Sequence, residues 1–333
     1  MNYSTITALG RSRVFFQALA AAAALAVTGG LRAAPEAVLE NPALRVRVYL
    51  PDSAEGYYRG PRFDWSGMVH SVETGGHTIF GEWKAARDPA ATDNVVGTAG
   101  EFGMDSPLGY DESGPGGDFF KIGVGRLIRP DNEPYRFNRN YKIVEPLPWR
   151  VDRTEHSITF SQTLPATSGW GYEYSKEIEL APDKQEFVIR YRLKNTGTKP
   201  IDTTYYCHNF VVFDGKPLAP GTRVVTAFKP DGLPTIKDIA SITAAGIELV
   251  KPLPEGDSLW REFGGRTFTA ADNDTAIQGP GTTVRITGDT APEKMVFYAI
   301  GKAICIEPVI RIKLAPGEVG TWSDRYRFAD GEK

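Results

Sequence analysis

Between residues 157 and 193, apolar and polar side chains take turns almost one for one. Ile158 and Phe160 alternate with Ser157 and Thr159. Tyr172, Tyr174, Lys176, Ile178 and Leu180 alternate with Glu173, Ser175, Glu177 and Glu179. Phe187, Ile189, Tyr191 and Leu193 alternate with Val188, Arg190 and Arg192. A period of two marks a strand with one face buried. Turn chemistry separates the runs, at Ala181-Pro182-Asp183-Lys184 and at Asn195-Thr196-Gly197. This pattern predicts an all-β chain of short strands, a sandwich or a barrel. The one weak helical stretch is Ile236 to Ala245. Residues 84–118 break the pattern with Asp88-Pro89, Gly97, Gly100, Pro107, Gly109 and Gly114-Pro115-Gly116-Gly117. Flanked by Phe80 and Trp83, and carrying Phe102 and Tyr110, they predict an ordered loop over a cleft.

Composition agrees. The 24 Pro and 35 Gly among 333 residues suit a loop-rich β protein. With 41% hydrophobic residues the chain can fill a large core without a covalent staple. The net charge is −3 and the 38 Lys and Arg form no basic run, so nucleic-acid binding has no footprint. Arg11 and Arg13 precede an apolar stretch from Val14 to about Val27, followed by Gly29, Gly30, Ala33 and Ala34. That order predicts a secretory signal over residues 1–34. Its three Arg and absence of acids would leave the mature chain near −6. The stretch is short for a bilayer span and Gln17 interrupts it. Residues 35–333 are therefore expected to be one periplasmic or secreted domain with no membrane partner.

Chemistry concentrates in few places. Of the four His, His156 lies in a polar turn, and His70 and His77 flank the Gly75-Gly76 turn as hairpin polarity. His208 differs, because Tyr205-Tyr206-Cys207-His208-Asn209-Phe210 is otherwise an aromatic strand. A buried imidazole there needs a hydrogen-bonding neighbour, or it faces a cleft. Glu307, in Ile304-Cys305-Ile306-Glu307-Pro308, is an acid in an apolar strand. It is either a general base beside a cleft or a salt-bridge partner of a cation such as Arg311. Pro308 suggests a strand end or edge. Tyr57-Tyr58-Arg59-Gly60-Pro61-Arg62-Phe63-Asp64-Trp65 combines aromatic faces with Arg62 and Asp64, a pattern suited to stacking on a sugar and bonding its hydroxyls. Gly109-Tyr110-Asp111-Glu112 is a weaker version. No Cys or His spacing of metal-binding type occurs, and no cofactor is expected.

Four segments, in order, resemble the aldose 1-epimerase (galactose mutarotase) superfamily. They are Tyr174–Leu180 running into Phe187–Gly197, then Tyr206-Cys207-His208-Asn209-Phe210, then Cys305-Ile306-Glu307-Pro308, and finally Leu314-Ala315-Pro316-Gly317-Glu318 with Tyr326-Arg327-Phe328. The resemblance spans about residues 40–330. It implies a large antiparallel β-sandwich that handles a mono- or oligosaccharide. It also implies Glu307 as the base for the anomeric hydroxyl and His208 as the acid for the ring oxygen, with Asn209 beside it in the substrate-binding set. The family's further His before a Gly has its nearest counterpart at Lys121, in Phe119-Phe120-Lys121-Ile122-Gly123-Val124-Gly125-Arg126. A lysine there opens a second reading, a polysaccharide lyase or other glycan-processing enzyme in which Lys121, Arg126 and Arg62 neutralise a uronate carboxylate. A third reading is a carbohydrate-binding module without turnover.

The two cysteines carry a prediction of their own. Cys305 and Glu307 are two apart and share a strand face, while Cys207 and His208 are adjacent and point opposite ways. If His208 and Glu307 face one cleft, the two sulfurs lie on opposite sides of the sheet. Mass spectrometry after alkylation in denaturant should count two free thiols; a Cys207–Cys305 bridge would contradict the shared face.

Overall fold

The alternating runs fold as strands. In the computed structural model, which describes residues 33–331 other than 86 and 233, they become Ser157–Thr167, Trp170–Leu180 and Glu186–Asn195. The expected signal segment lies, apart from Ala33 and Ala34, outside the described residues. The three runs belong to an eleven-stranded antiparallel sheet, whose middle holds Thr282–Gly288, Val319–Asp330 and Glu186–Asn195. A five-stranded antiparallel sheet has the order Ser258–Phe263, Lys294–Ile300, Ala303–Leu314, Ile201–Phe210, Gly97–Phe102. Aromatic side chains join these two layers. The Tyr205 ring lies 5.1 Å from both Tyr191 and Trp322, and Phe102 meets Tyr174 edge-on at 5.1 Å. A four-stranded sheet within residues 36–79 and a three-stranded sheet within 118–146 complete the β-sandwich. Among the described residues the one helical element is the 3-10 turn Ala270–Asp272.

Three local expectations are corrected. Residues 236–245 are not helical, because Thr235–Ile236, Ala240–Thr243 and Gly246–Leu249 form successive antiparallel strands. The segment 84–118 is not all loop, because Gly97–Phe102 pairs with Ile201–Phe210 as a strand buried on both faces. Pro308 does not end a strand. It sits inside the twelve-residue Ala303–Leu314 and still pairs with Met295.

Pro308 nevertheless leaves a mark. The Val309 carbonyl accepts from Glu293 N, so Val309 turns its backbone toward the Lys294–Ile300 side. Its neighbour Pro308 therefore faces Ile201–Phe210, where the missing N–H opens the ladder. Pairing between those two strands runs from Ile201↔Leu314 to Tyr205↔Ile310, lapses, and resumes at the Val211↔Ile304 bridge. The count is the same on both sides of the gap. His208 and Glu307 stand opposite each other at its midpoint.

Gly97 shows why its strand was hard to read. Its φ is +54°, and a Cβ there would lie 1.7 Å from the Val69 carbonyl oxygen. Gly97→Ala must therefore shift backbone as well as strain φ. It should cost about 2 kcal/mol or more. Chemical denaturation would measure this, and a variant within about 0.5 kcal/mol of the native chain would show that the close approach is not rigid.

Candidate functional site

Antiparallel pairing carries side chains of one face across the five-stranded sheet in rows. One row reads Glu262, Val296, Glu307, then across the ladder gap His208 and Ala99. The row beside it holds Trp260, Tyr298 and Cys305, then Phe210 and Gly97. On the other side stand Lys294 and Val309, then Tyr206 and Glu101. This face floors a cavity of about 450 Å³, within the usual small-molecule range of about 300–1,000 Å³. Its walls come from outside the sheet and include Arg62, Phe63, Trp83, Asp93, Met104 and Phe137.

At the floor, His208 Nδ1 and a Glu307 carboxylate oxygen are in direct contact. Both residues are buried. The alternative of a Glu307–Arg311 bridge is not met, because Arg311 pairs with Asp202. Cys305 donates its thiol hydrogen to the same Glu307 oxygen at 3.2 Å, and its sulfur lies 3.5 Å from His208 Nδ1. Burial, and then the Glu307 carboxylate, push the Cys305 thiol well above its usual value, so it stands as a protonated donor. The imidazole stacks on Phe210 at 3.6 Å between ring centres, with Tyr298 edge-on at 5.8 Å. These rings fix its plane. Among the described residues, His208 Nε2 and the second Glu307 oxygen make no hydrogen bond, although both residues line the cavity.

Next to this pair lies a sealed charge cluster. Glu101 accepts from Arg62 Nε at 2.7 Å, from Lys121 Nζ at 3.1 Å and from the Tyr206 hydroxyl at 2.5 Å. Lys121 is 0% exposed and also donates to the Tyr135 hydroxyl and the Gly103 carbonyl. Burial alone would raise Glu101, but Arg62 and Lys121 override it and hold the carboxyl below its ordinary value. Burial lowers Lys121, with Glu101 opposing. Arg62 is the member of this cluster that reaches the cavity wall, its guanidinium 4.4 Å from the ring centres of both Phe63 and Phe137.

Of the eight site residues expected from sequence, the structure brings His208, Glu307 and Arg62 to the cavity and leaves five elsewhere. Lys121 is spent on Glu101 below the wall. Asp64 is fully buried, bonded to Ser66 and the Tyr174 hydroxyl, and pins its loop to the large sheet. Tyr110 is buried in an aromatic cluster with Phe119, Tyr135 and Tyr141. Arg126 lies at the surface between Asp118 and Glu145. Asn209 points to the opposite face, where it accepts from the Tyr326 hydroxyl at 2.6 Å. Cys207 shares that face with it, and both cysteines are free thiols. His70, stacked on Tyr49, and His77, paired with Asp214, are hairpin residues as expected. Sequence reasoning missed Glu101, whose strand was read as loop. It also missed the rim aromatics Trp260 and Phe137, which are 58% and 40% exposed. Trp260 follows Leu259 on its strand, so with Leu259 in the core a tryptophan on the other face was the available signal.

No protein-family model and no curated protein matches the chain. Solved structures do. A candidate aldose 1-epimerase from Escherichia coli K12 aligns at 12% identity over 89% of this chain and 99% of its own, with a TM-score of 0.53. A protein from Synechocystis sp. PCC 6803 aligns at 12% over 90% and 96%, with a TM-score of 0.54. A galactose mutarotase-like protein from Clostridium acetobutylicum aligns at 15% over 88% and 95%, with a TM-score of 0.51. Identities this low establish the shared fold, a galactose-mutarotase-type sandwich, over nearly the whole described chain.

The Glu101 cluster carries a stability prediction. Glu101→Gln leaves Arg62 and Lys121 without their buried counter-charge and should destabilise by about 3–5 kcal/mol near neutral pH. A carboxyl held below its ordinary value contributes stability that is present above about pH 4.5 and is lost as pH falls through its folded value. The gap between native and variant chains should therefore narrow below that pH. Denaturation curves at pH 7 and pH 4 test this, and a gap that widens in acid would contradict it.

Proposed function

We propose that this chain, a divergent galactose mutarotase-like sandwich, is a sugar 1-epimerase acting on a neutral sugar. The observation that carries the reading is the His208–Glu307 pair, set in direct contact on the floor of an aromatic-walled cavity. Exchange of anomers needs a proton removed from the anomeric hydroxyl and one given to the ring oxygen. These two oxygens share a carbon, so an acid and a base side by side can serve both. In the ion-paired form, Glu307 takes the hydroxyl proton through its free oxygen while His208 Nε2 gives its proton to the ring oxygen. The ring opens to the aldehyde, leaving a neutral imidazole and a neutral carboxyl. Rotation about the C1–C2 bond and the reverse transfers close the ring as the other anomer and restore the pair. The direct contact between the two side chains supports action from adjacent positions on one side of the ring. Phe210 and Tyr298 hold the imidazole in place, and Trp260, Trp83 and Phe137 offer faces for sugar C–H groups.

Charge weighs against a uronate. Each described cation lining the cavity is matched by an acid: Arg62 by Glu101 and Lys294 by Glu262. Lys121 and Arg126 do not reach it. The other acids of the lining are paired as well, Asp93 with Lys84 and Glu307 with His208. A carboxylated substrate would have to break an existing pair to be neutralised, whereas hydroxyl groups need no such exchange.

Proton NMR with a panel of neutral sugars and uronates tests the reading. The native chain should speed anomer exchange of at least one neutral sugar. Glu307→Gln and His208→Asn should each slow it roughly 10²–10⁴-fold. Trp260→Ala should raise KM with little change in kcat, since a rim stacking contact is made equally in ground and transition states. Saturable binding without exchange would favour the binding module, and turnover confined to uronates would favour the lyase.

A further inference from the structure

Cys305 takes no part in the proton transfers above, yet it touches both groups that do. One ligand atom from each of His208, Cys305 and Glu307 lies within 4.8 Å of the others. The arrangement follows from the strands. Cys305 and Glu307 share a face two residues apart, and His208 meets them across the ladder gap. With zinc bonds of about 2.3 Å to sulfur and about 2.0–2.2 Å to nitrogen or oxygen, tetrahedral angles place donor atoms about 3.3–3.6 Å apart. The sulfur–nitrogen separation is 3.5 Å and the sulfur–oxygen separation 3.2 Å. The His208–Glu307 contact has to lengthen and the sulfur–oxygen separation to open slightly, both by a small turn of the carboxylate.

We propose that His208, Cys305 and Glu307 form a three-ligand site for a zinc-type divalent cation, with the fourth position open to the cavity. Sulfur, nitrogen and oxygen donors together suit zinc or cobalt, while magnesium and calcium take oxygen ligands. On binding, the thiol proton and the proton held between His208 and Glu307 leave to solvent, and the cation takes the lone pairs they occupied. Cation loading and proton transfer through the pair therefore exclude each other. The site stands on donor geometry and not on the sugar reading, and it is tested without a sugar.

The chelator-treated full chain, titrated with cobalt(II) chloride, should bind one ion per chain. It should develop a thiolate-to-cobalt charge-transfer absorption in the near ultraviolet, which zinc chloride then abolishes. Cys305→Ser should lose the band and weaken zinc binding, measured calorimetrically, by about a hundredfold or more, since even an outer partner is worth about 10–100-fold. Cys207→Ser, on the opposite face, should keep both signals. His208→Asn gives an independent variant and should weaken zinc similarly. The proposal is overturned if the native chain shows no thiolate band, if the band survives Cys305→Ser, or if Cys207→Ser removes it.

Discussion

The site depends on one backbone constraint, the register between Ile201–Phe210 and Ala303–Leu314. Pairing on both sides of the gap holds the same count, so His208 must stand opposite Glu307. A slip of one residue would turn one of them into the core, because successive side chains face opposite ways. Pro308, facing the gap, removes a rung where the two strands that carry the candidate pair meet. The eleven-stranded sheet supports this indirectly. Tyr205, at the last rung before the gap, is packed between Tyr191 and Trp322 of that sheet.

The Glu101 cluster is a second constraint beside the first. A carboxylate, a guanidinium and an ammonium buried together are costly unless each is paired. Here the pairing ties three segments of chain distant in sequence: the Arg62 loop, the Gly97–Phe102 strand and the Lys121 strand end. It places Arg62 at the cavity wall with Phe63 beneath it. The lysine that stands where the related family is expected to have a histidine is thus part of the frame of the cavity. Its charge is not available to a substrate. Under the proposed function this favours a neutral sugar over an anionic one, and among the described residues it leaves His208 and Glu307 as the pair on the floor with unbonded polar atoms.

Much of the fold was legible because strands with one wet face write their period into the sequence. Ser157–Thr167, Trp170–Leu180 and Glu186–Asn195 are such strands. Gly97–Phe102 was not legible, since it is buried on both faces, built mostly of small residues, and begins at a glycine with positive φ. With that strand hidden, Glu101 was hidden too, and Lys121 and Arg62 looked like free cations. His208 and Glu307 stood out because a polar group in an apolar strand needs a reason. That Cys305 joins them followed from strand alternation, but the closeness of all three required the register across the gap. Asn209 and Asp64 sat in the right motifs and point the wrong way, which chain neighbourhood alone does not reveal.

The central claim is that the His208–Glu307 pair meets the anomeric centre of a sugar. A crystal structure of the Glu307→Gln variant soaked with a neutral pyranose tests it most directly, because slowed turnover leaves the bound sugar in place. The account predicts the sugar on the cavity floor, with its ring oxygen and anomeric oxygen within about 3.2 Å of His208 Nε2 and the residue-307 side chain respectively. A sugar bound only at the Trp260 rim, with its anomeric carbon away from both side chains, would contradict the account.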